Sequence, residues 1–166
     1  MNKTITTLET INVVAWANQL PKEKMDAIPL KIKYAIKKLV AKLEPDAKAF
    51  EEFRNQEIEK IREKYFTDDK CDHKTETVMD DNGDPVVDEN GVEETRELLV
   101  VKDEYMNDYQ DEIQILNEKL NEILMEKNTY EYNSCDIEAM VQNLPDDSPL
   151  EWDDVNMLDA LFTEEA

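Results

Sequence analysis

Met106, Tyr109, Ile113, Leu116, Leu120 and Ile123 recur at steps of 3, 4, 3, 4 and 3 residues. That spacing lays six apolar side chains along one seam of a helix, and such a seam has to be covered by a second helix. It predicts a helix over residues 103–127. A second stripe lies upstream, where Ile32, Ile36, Leu39, Leu43, Ala47, Phe50 and Phe53 fall at steps of three and four, continued by Ile58, Ile61 and Tyr65. It predicts a long helix starting near Ile28-Pro29, since proline is tolerated in a first turn. Pro45 interrupts this stripe. It removes one backbone bond and crowds the carbonyl of Ala41, so a kink or break is expected there. The two stripes call for an antiparallel pair, with Ile113, Leu116, Leu120 and Ile123 packed on Leu39, Leu43, Phe50 and Phe53. Each such burial contributes on the order of 1.5–3 kcal/mol.

Shorter elements flank the pair. Thr7 is a plausible N-cap for a helix over residues 8–19, which puts Leu8, Ile11, Val14 and Ala15 on one face. Leu20-Pro21 ends it, because a residue before proline avoids helical angles. Residues 67–97 contain Asn82-Gly83 and Asn90-Gly91, a hairpin signal between short β-type runs. Val78-Met79, Val86-Val87 and residues 98–101 would supply the strands. The alternative is a mobile acidic loop. Tyr130-Glu131-Tyr132 alternates as a short strand does. A short helix is expected over residues 136–143, stopping before Pro145. The last helix has Ser148 as cap, Pro149 in the first turn and Glu151 completing a capping box. No internal repeat is read. The expected fold is a single, mainly α domain spanning residues 1–166. An antiparallel pair of long helices carries short flanking helices, and a small β-hairpin or loop insertion sits at its tip.

Charge divides the chain. Residues 1–66 hold 13 Lys/Arg and 10 Asp/Glu, a balance of 13 − 10 = +3. Residues 67–166 hold 6 and 31, a balance of 6 − 31 = −25, and together these give the net −22. The acidic C-terminal segment, residues 131–166, has 11 acids and no Lys or Arg. The excess must face solvent or a basic partner. With only two glycines, the chain has no Gly-rich phosphate loop. No signal peptide is read at the start and no run approaches 18 apolar residues, so no membrane segment is expected. Cys71 and Cys135 read as free thiols.

Candidate sites are weighed against plainer readings. Cys71-Asp72-His73 offers two zinc-type ligands, but a structural zinc site needs four, and only Cys135 could add another sulfur. A solvated loop is the preferred reading, and no metal or cofactor is assigned. With Gly83 at the sixth position of a calcium loop, Asp80, Asn82 and Glu89 fall third, fifth and twelfth, but Val78 stands where the first carboxylate belongs and Pro85 sits inside. His73 is the only histidine and no Ser or Cys has an evident base, so no catalytic residue is assigned. Lys22, Lys24, Lys31, Lys33, Lys37, Lys38 and Lys42 would suit nucleic acid. The overall charge opposes it, and a solvated or internally paired face is preferred. The C-terminal helix is the assigned partner-binding site. Trp152, Val155, Leu158, Leu161 and Phe162 would dock in a groove while Asp153 and Asp154 meet its basic rim. The alternative is that this face caps the protein's own helices.

The order of these features resembles a family of small proteins of tailed bacteriophages. There an amphipathic N-terminal region leads into a Lys-rich long helix. An acidic, Asn-Gly-containing insertion follows, then a second long helix and an acidic-apolar end. The matching stretches are residues 30–65 (LKIKYAIKKLVAKLEPDAKAFEEFRNQEIEKIREKY), 84–91 (DPVVDENG) and 109–123 (YQDEIQILNEKLNEI). Pro45 and the length of the insertion depart from that pattern. The resemblance implies a phage or prophage origin and no known activity, and it carries over no functional residue; the expected location is the host cytoplasm. The expected function is that of a non-enzymatic accessory protein binding a phage or host protein, in assembly or host interaction. The alternative is an anti-defence inhibitor, either an acidic nucleic-acid mimic or a nucleotide-signal sponge. Leftover apolar faces would also allow a homo-oligomer.

Overall fold

The computed structural model describes residues 2–163. In chain order its elements are β1 (Asn2–Thr6), α1 (Thr7–Gln19), α2 (Lys22–Ala27), α3 (Leu30–Tyr65), β2 (Cys71–Thr77), β3 (Thr95–Val101), α4 (Asp103–Met125), β4 (Lys127–Glu131), α5 (Ile137–Gln142) and α6 (Trp152–Phe162). The protein is mainly α, with two small antiparallel sheets, β1–β4 and β2–β3. The chain divides into two compact units, Met1–Phe53 with Leu120–Ala166, and Arg54–Lys119. Helix α3 runs unbroken through Pro45. Ala41 and Pro45 are both exposed, a setting in which water can serve the carbonyl that proline leaves without a donor.

In the first unit, Thr6 rather than Thr7 caps α1. Its Oγ1 accepts from the Glu9 backbone N–H at 3.1 Å, and the Glu9 carboxylate accepts from the Thr6 N–H at 2.6 Å. This reciprocal box satisfies two end groups of the helix. It also frees the preceding residues, rich in threonine, to extend as β1. β1 pairs with β4 in the register Asn2↔Glu131 to Thr6↔Lys127, and the facing Thr4 and Thr129 hydroxyls lie 2.8 Å apart. Helix α6 begins at Trp152, later than its Ser148-Pro149 signal suggests. The Ser148 hydroxyl accepts instead from the Leu150 N–H, and the Asp154 carboxylate accepts from the Glu151 N–H at 3.0 Å.

The core of this unit differs from the expected seam. Leu39 and Leu43 are buried in a cluster with Val13 and Val14 of α1, Ile137 and Met140 of α5, and Leu158, Leu161 and Phe162 of α6. No α4 residue belongs to that cluster. Leu116 and Leu120 are buried, but Ile113 and Ile123 are only half-buried and Phe53 is exposed. The expected packing of Leu39 and Leu43 on the α4 heptads is therefore corrected. Three short helices, α1 near the N-terminus and α5 and α6 near the C-terminus, take that place together.

The second unit joins the end of α3, the β2–β3 hairpin and the start of α4. The Tyr65 and Tyr109 rings meet edge to face at 5.4 Å between centroids, and Phe66 meets Tyr109 likewise at 5.8 Å. Tyr65 donates to the Glu112 carboxylate at 3.0 Å, and Lys64 forms an ion pair with the same group. Cys71 is buried where β2 begins, and its thiol donates to the Tyr65 carbonyl at 3.3 Å.

Candidate interaction surface

The insertion is ordered as a three-hairpin head, and it contains a repeat. Val78, Asp80, Asn82 and Gly83 recur eight residues later as Val86, Asp88, Asn90 and Gly91. Both copies fold alike. The Asp80 carboxylate accepts from the Asn82 and Asp84 N–H groups at 2.8 and 2.9 Å, and Asp88 accepts from Asn90 and Val92 at the same distances. The Gly83 N–H donates to the Asp80 carbonyl and the Gly91 N–H to the Asp88 carbonyl, both at 3.0 Å. The glycines sit at φ of 84° and 79°, a region open to them at little cost and strained for other residues. The repeat is short and only four of its eight positions are identical, so it does not stand out from the two Asn-Gly turns. The signal lay in the aspartate two residues before each asparagine.

The two small hairpins and β2–β3 converge on a closed ring of backbone bonds. The Val86 N–H donates to the Val78 carbonyl, Glu94 to Val86, and Val78 to Glu94, each at 2.8 Å. Bridges Met79↔Pro85 and Val87↔Glu93 close the two small hairpins. Residues 78–94 carry seven acids and no Lys or Arg. Met79, Val87 and Val92 stand more than half exposed among them.

Asp80 is held below the ordinary carboxylate range, chiefly by the Asp84 N–H and then the Asn82 N–H, and Asp88 likewise by Val92 and then Asn90. A depressed folded pKa means the stabilisation is present above the unfolded value near 3.9 and is lost as pH falls through the lower folded value. The head therefore keeps its turns in mild acid. Asp80→Ala should accelerate amide exchange at Asn82 and Asp84 roughly tenfold, because two hydrogen bonds lose their acceptor. Asn90 and Val92 should be unaffected and Asp80→Asn, which keeps an acceptor oxygen, should be mild. Residue-resolved hydrogen exchange by NMR checks this. Equal acceleration in both hairpins would contradict independent locks.

The partner-binding residues assigned on α6 are placed differently. Val155, Leu158, Leu161 and Phe162 are buried, with Phe162 at 0% exposure, and the last three belong to the first unit's core. Tyr132 lies edge to face on Phe162 at 5.8 Å and donates its hydroxyl to the Leu161 carbonyl. Asp154 is buried too. It accepts from Trp16 Nε1 at 3.2 Å and pairs with Lys24 at 2.9 Å. Trp152, at 72%, and Asp153 are the exposed members. Helix α6 thus commits its apolar face to the chain's own core.

The remaining candidates are scattered. His73 is exposed on β2 and lies 3.7 Å from the Asp68 carboxylate, while Cys71 is buried and Cys135 is half-buried. Among the described residues, no group of three or more His, Cys, Asp or Glu side chains is placed to hold a metal ion. No helix among them is long and apolar enough to cross a membrane. Fold and surface together define a mainly α protein bearing a three-hairpin acidic head. Comparison with family models, with curated proteins and with solved structures finds no match to this chain.

Proposed function

We propose that this chain is a non-enzymatic accessory protein of phage origin, working in the host cytoplasm by binding a basic protein through its acidic head. The observation that carries this reading is the head itself. Seven carboxylates are presented without a compensating cation on hairpins that their own aspartates lock, with Met79, Val87 and Val92 among them. A one-signed field steers an oppositely charged partner, and exposed apolar side chains supply the burial that holds it. The phage origin rests on the order of sequence features alone.

An antiparallel pairing of α3 with α4 would give the head a firm base. Its support is the Lys64–Glu112 ion pair, the Tyr65–Tyr109 contact, and a groove of about 340 Å³ lined by Glu57, Ile61, Glu112, Leu116 and Lys119.

The test compares pull-downs from infected and uninfected host lysate using the natural chain and a variant carrying Asp81→Asn, Asp84→Asn, Glu89→Gln and Glu93→Gln. Those substitutions spare Asp80 and Asp88, so the hairpins remain. The natural chain should recover one stoichiometric basic protein, and the variant about tenfold less. Equal recovery by both, or nothing above background, would overturn the reading. A second reading draws on the same array of carboxylates, as a nucleic-acid mimic occupying a basic groove. Its sign would be competition with DNA for a purified nuclease, weakening steeply with salt.

A further inference from the structure

The one basic region of the chain has a surface as distinctive as the head. Three of its lysines are engaged within the first unit. Lys24 pairs with Glu151 and Asp154, Lys33 pairs with Asp26, and Lys42 donates to the Glu131 carbonyl. Lys31, Lys37 and Lys38 instead stand exposed on α3. Leu30, 81% exposed, Tyr34, 60% exposed, and Lys38 follow one another at steps of four, Lys31 and Lys37 lie three residues to either side of Tyr34, and Lys38 Nζ lies 4.8 Å above the Tyr34 ring. Side chains at i, i+4 and i+8 share one helix face. A leucine and a tyrosine left this open beside three lysines make an apolar-basic stripe.

We propose that this stripe binds the acidic head of a second copy of the chain, joining copies head to face. The complement is carried by the molecule itself. The head offers seven carboxylates without a cation and exposed Met79, Val87 and Val92. The stripe offers ammonium groups around Leu30 and Tyr34. A nucleic acid would meet the same lysines with repulsion from the rest of the molecule and with no apolar complement to Leu30. The net −22 also opposes two copies. That repulsion is long-ranged, whereas the attraction acts at contact. Salt near 0.15 M, with a screening length of about 8 Å, suppresses the first before the second. Association should therefore peak at intermediate ionic strength. Because stripe and head are different surfaces, the contact is heterologous and can propagate beyond a dimer.

Sedimentation equilibrium across a salt series tests this with two charge-reversed chains. One carries Lys31→Glu, Lys37→Glu and Lys38→Glu. The other carries Asp81→Lys, Asp84→Lys, Glu89→Lys and Glu93→Lys. The natural chain should self-associate, with an optimum near 0.15 M. Each variant alone should associate at least about tenfold more weakly, and an equimolar mixture of the two should recover association. The mixture guards against misfolding, since unfolded chains would not rescue each other. A natural chain that stays monomeric at every salt and concentration, variants that associate as it does, or a mixture without rescue would each overturn the proposal. So would lysine-dependent binding of a short DNA duplex without self-association. The pull-down above does not depend on the stripe, so the two readings fail separately.

Discussion

Phe162→Ala is expected to lower the unfolding free energy by about 3–5 kcal/mol, the range for truncating a buried aromatic side chain. Phe162 has 0% exposure and lies in the cluster that holds Leu43 and Leu158. Its Tyr132 contact adds a ring edge that alanine cannot replace. Urea denaturation followed by circular dichroism measures the change. Trp152→Ala, on the same helix at an exposed position, is the control and should move stability by no more than about 0.5 kcal/mol. A small effect at Phe162 would mean that α6 does not seal the core and that its apolar face is open to other uses.

Asp154→Ala is expected to cost about 2–4 kcal/mol, because it strips a buried charge from several donors at once. The carboxylate accepts from Trp16 Nε1 and the Glu151 N–H and pairs with Lys24, tying α6 to α1 and α2. The lower end is favoured because Lys24 keeps Glu151 at 2.8 Å. Burial pushes the Asp154 pKa up, but Lys24, the Glu151 N–H and Trp16 together hold it below the ordinary value. Its stabilisation is thus present above the unfolded pKa near 3.9 and lost as pH falls through the lower folded value. The gap between the natural chain and the variant should be constant from neutral pH to about 5 and should close only in stronger acid. Denaturation midpoints over that range check it. A gap that closes near neutral pH would mean Asp154 is not held ionised.

Much of the helical architecture was legible from spacing. The stripes at steps of three and four located α3 and α4, and Asn-Gly pairs located the hairpins. What periodicity could not give was the partner of each face. Leu39 and Leu43 needed covering, and the α4 heptads looked sufficient. Val13, Ile137, Leu158 and Phe162, scattered over three short helices, made no comparable pattern, yet tertiary packing gathered them into the core. β1 was missed because a threonine-rich start reads as a cap before it reads as a strand, and its partner β4 lies more than 120 residues away. The break allowed for at Pro45 does not occur, and the cost of a proline depends on whether the orphaned carbonyl can reach water. The candidate surface was half legible. Acidity and Asn-Gly turns were on the page, but the ring joining Val78, Val86 and Glu94 is backbone bonding that no side-chain pattern announces. On α6, alternating acids and apolar residues fit a docking helix and a core helix equally, and burial decided for the core.

Carbodiimide coupling of carboxylates to partner lysines in lysate from infected cells, mapped by mass spectrometry, tests the placement of the recognition surface most directly. The links should concentrate on Asp81, Asp84, Glu89 and Glu93. Links confined to Asp153 and Asp159 of α6, or a natural chain that couples to no protein above background, would contradict recognition through the hairpin head.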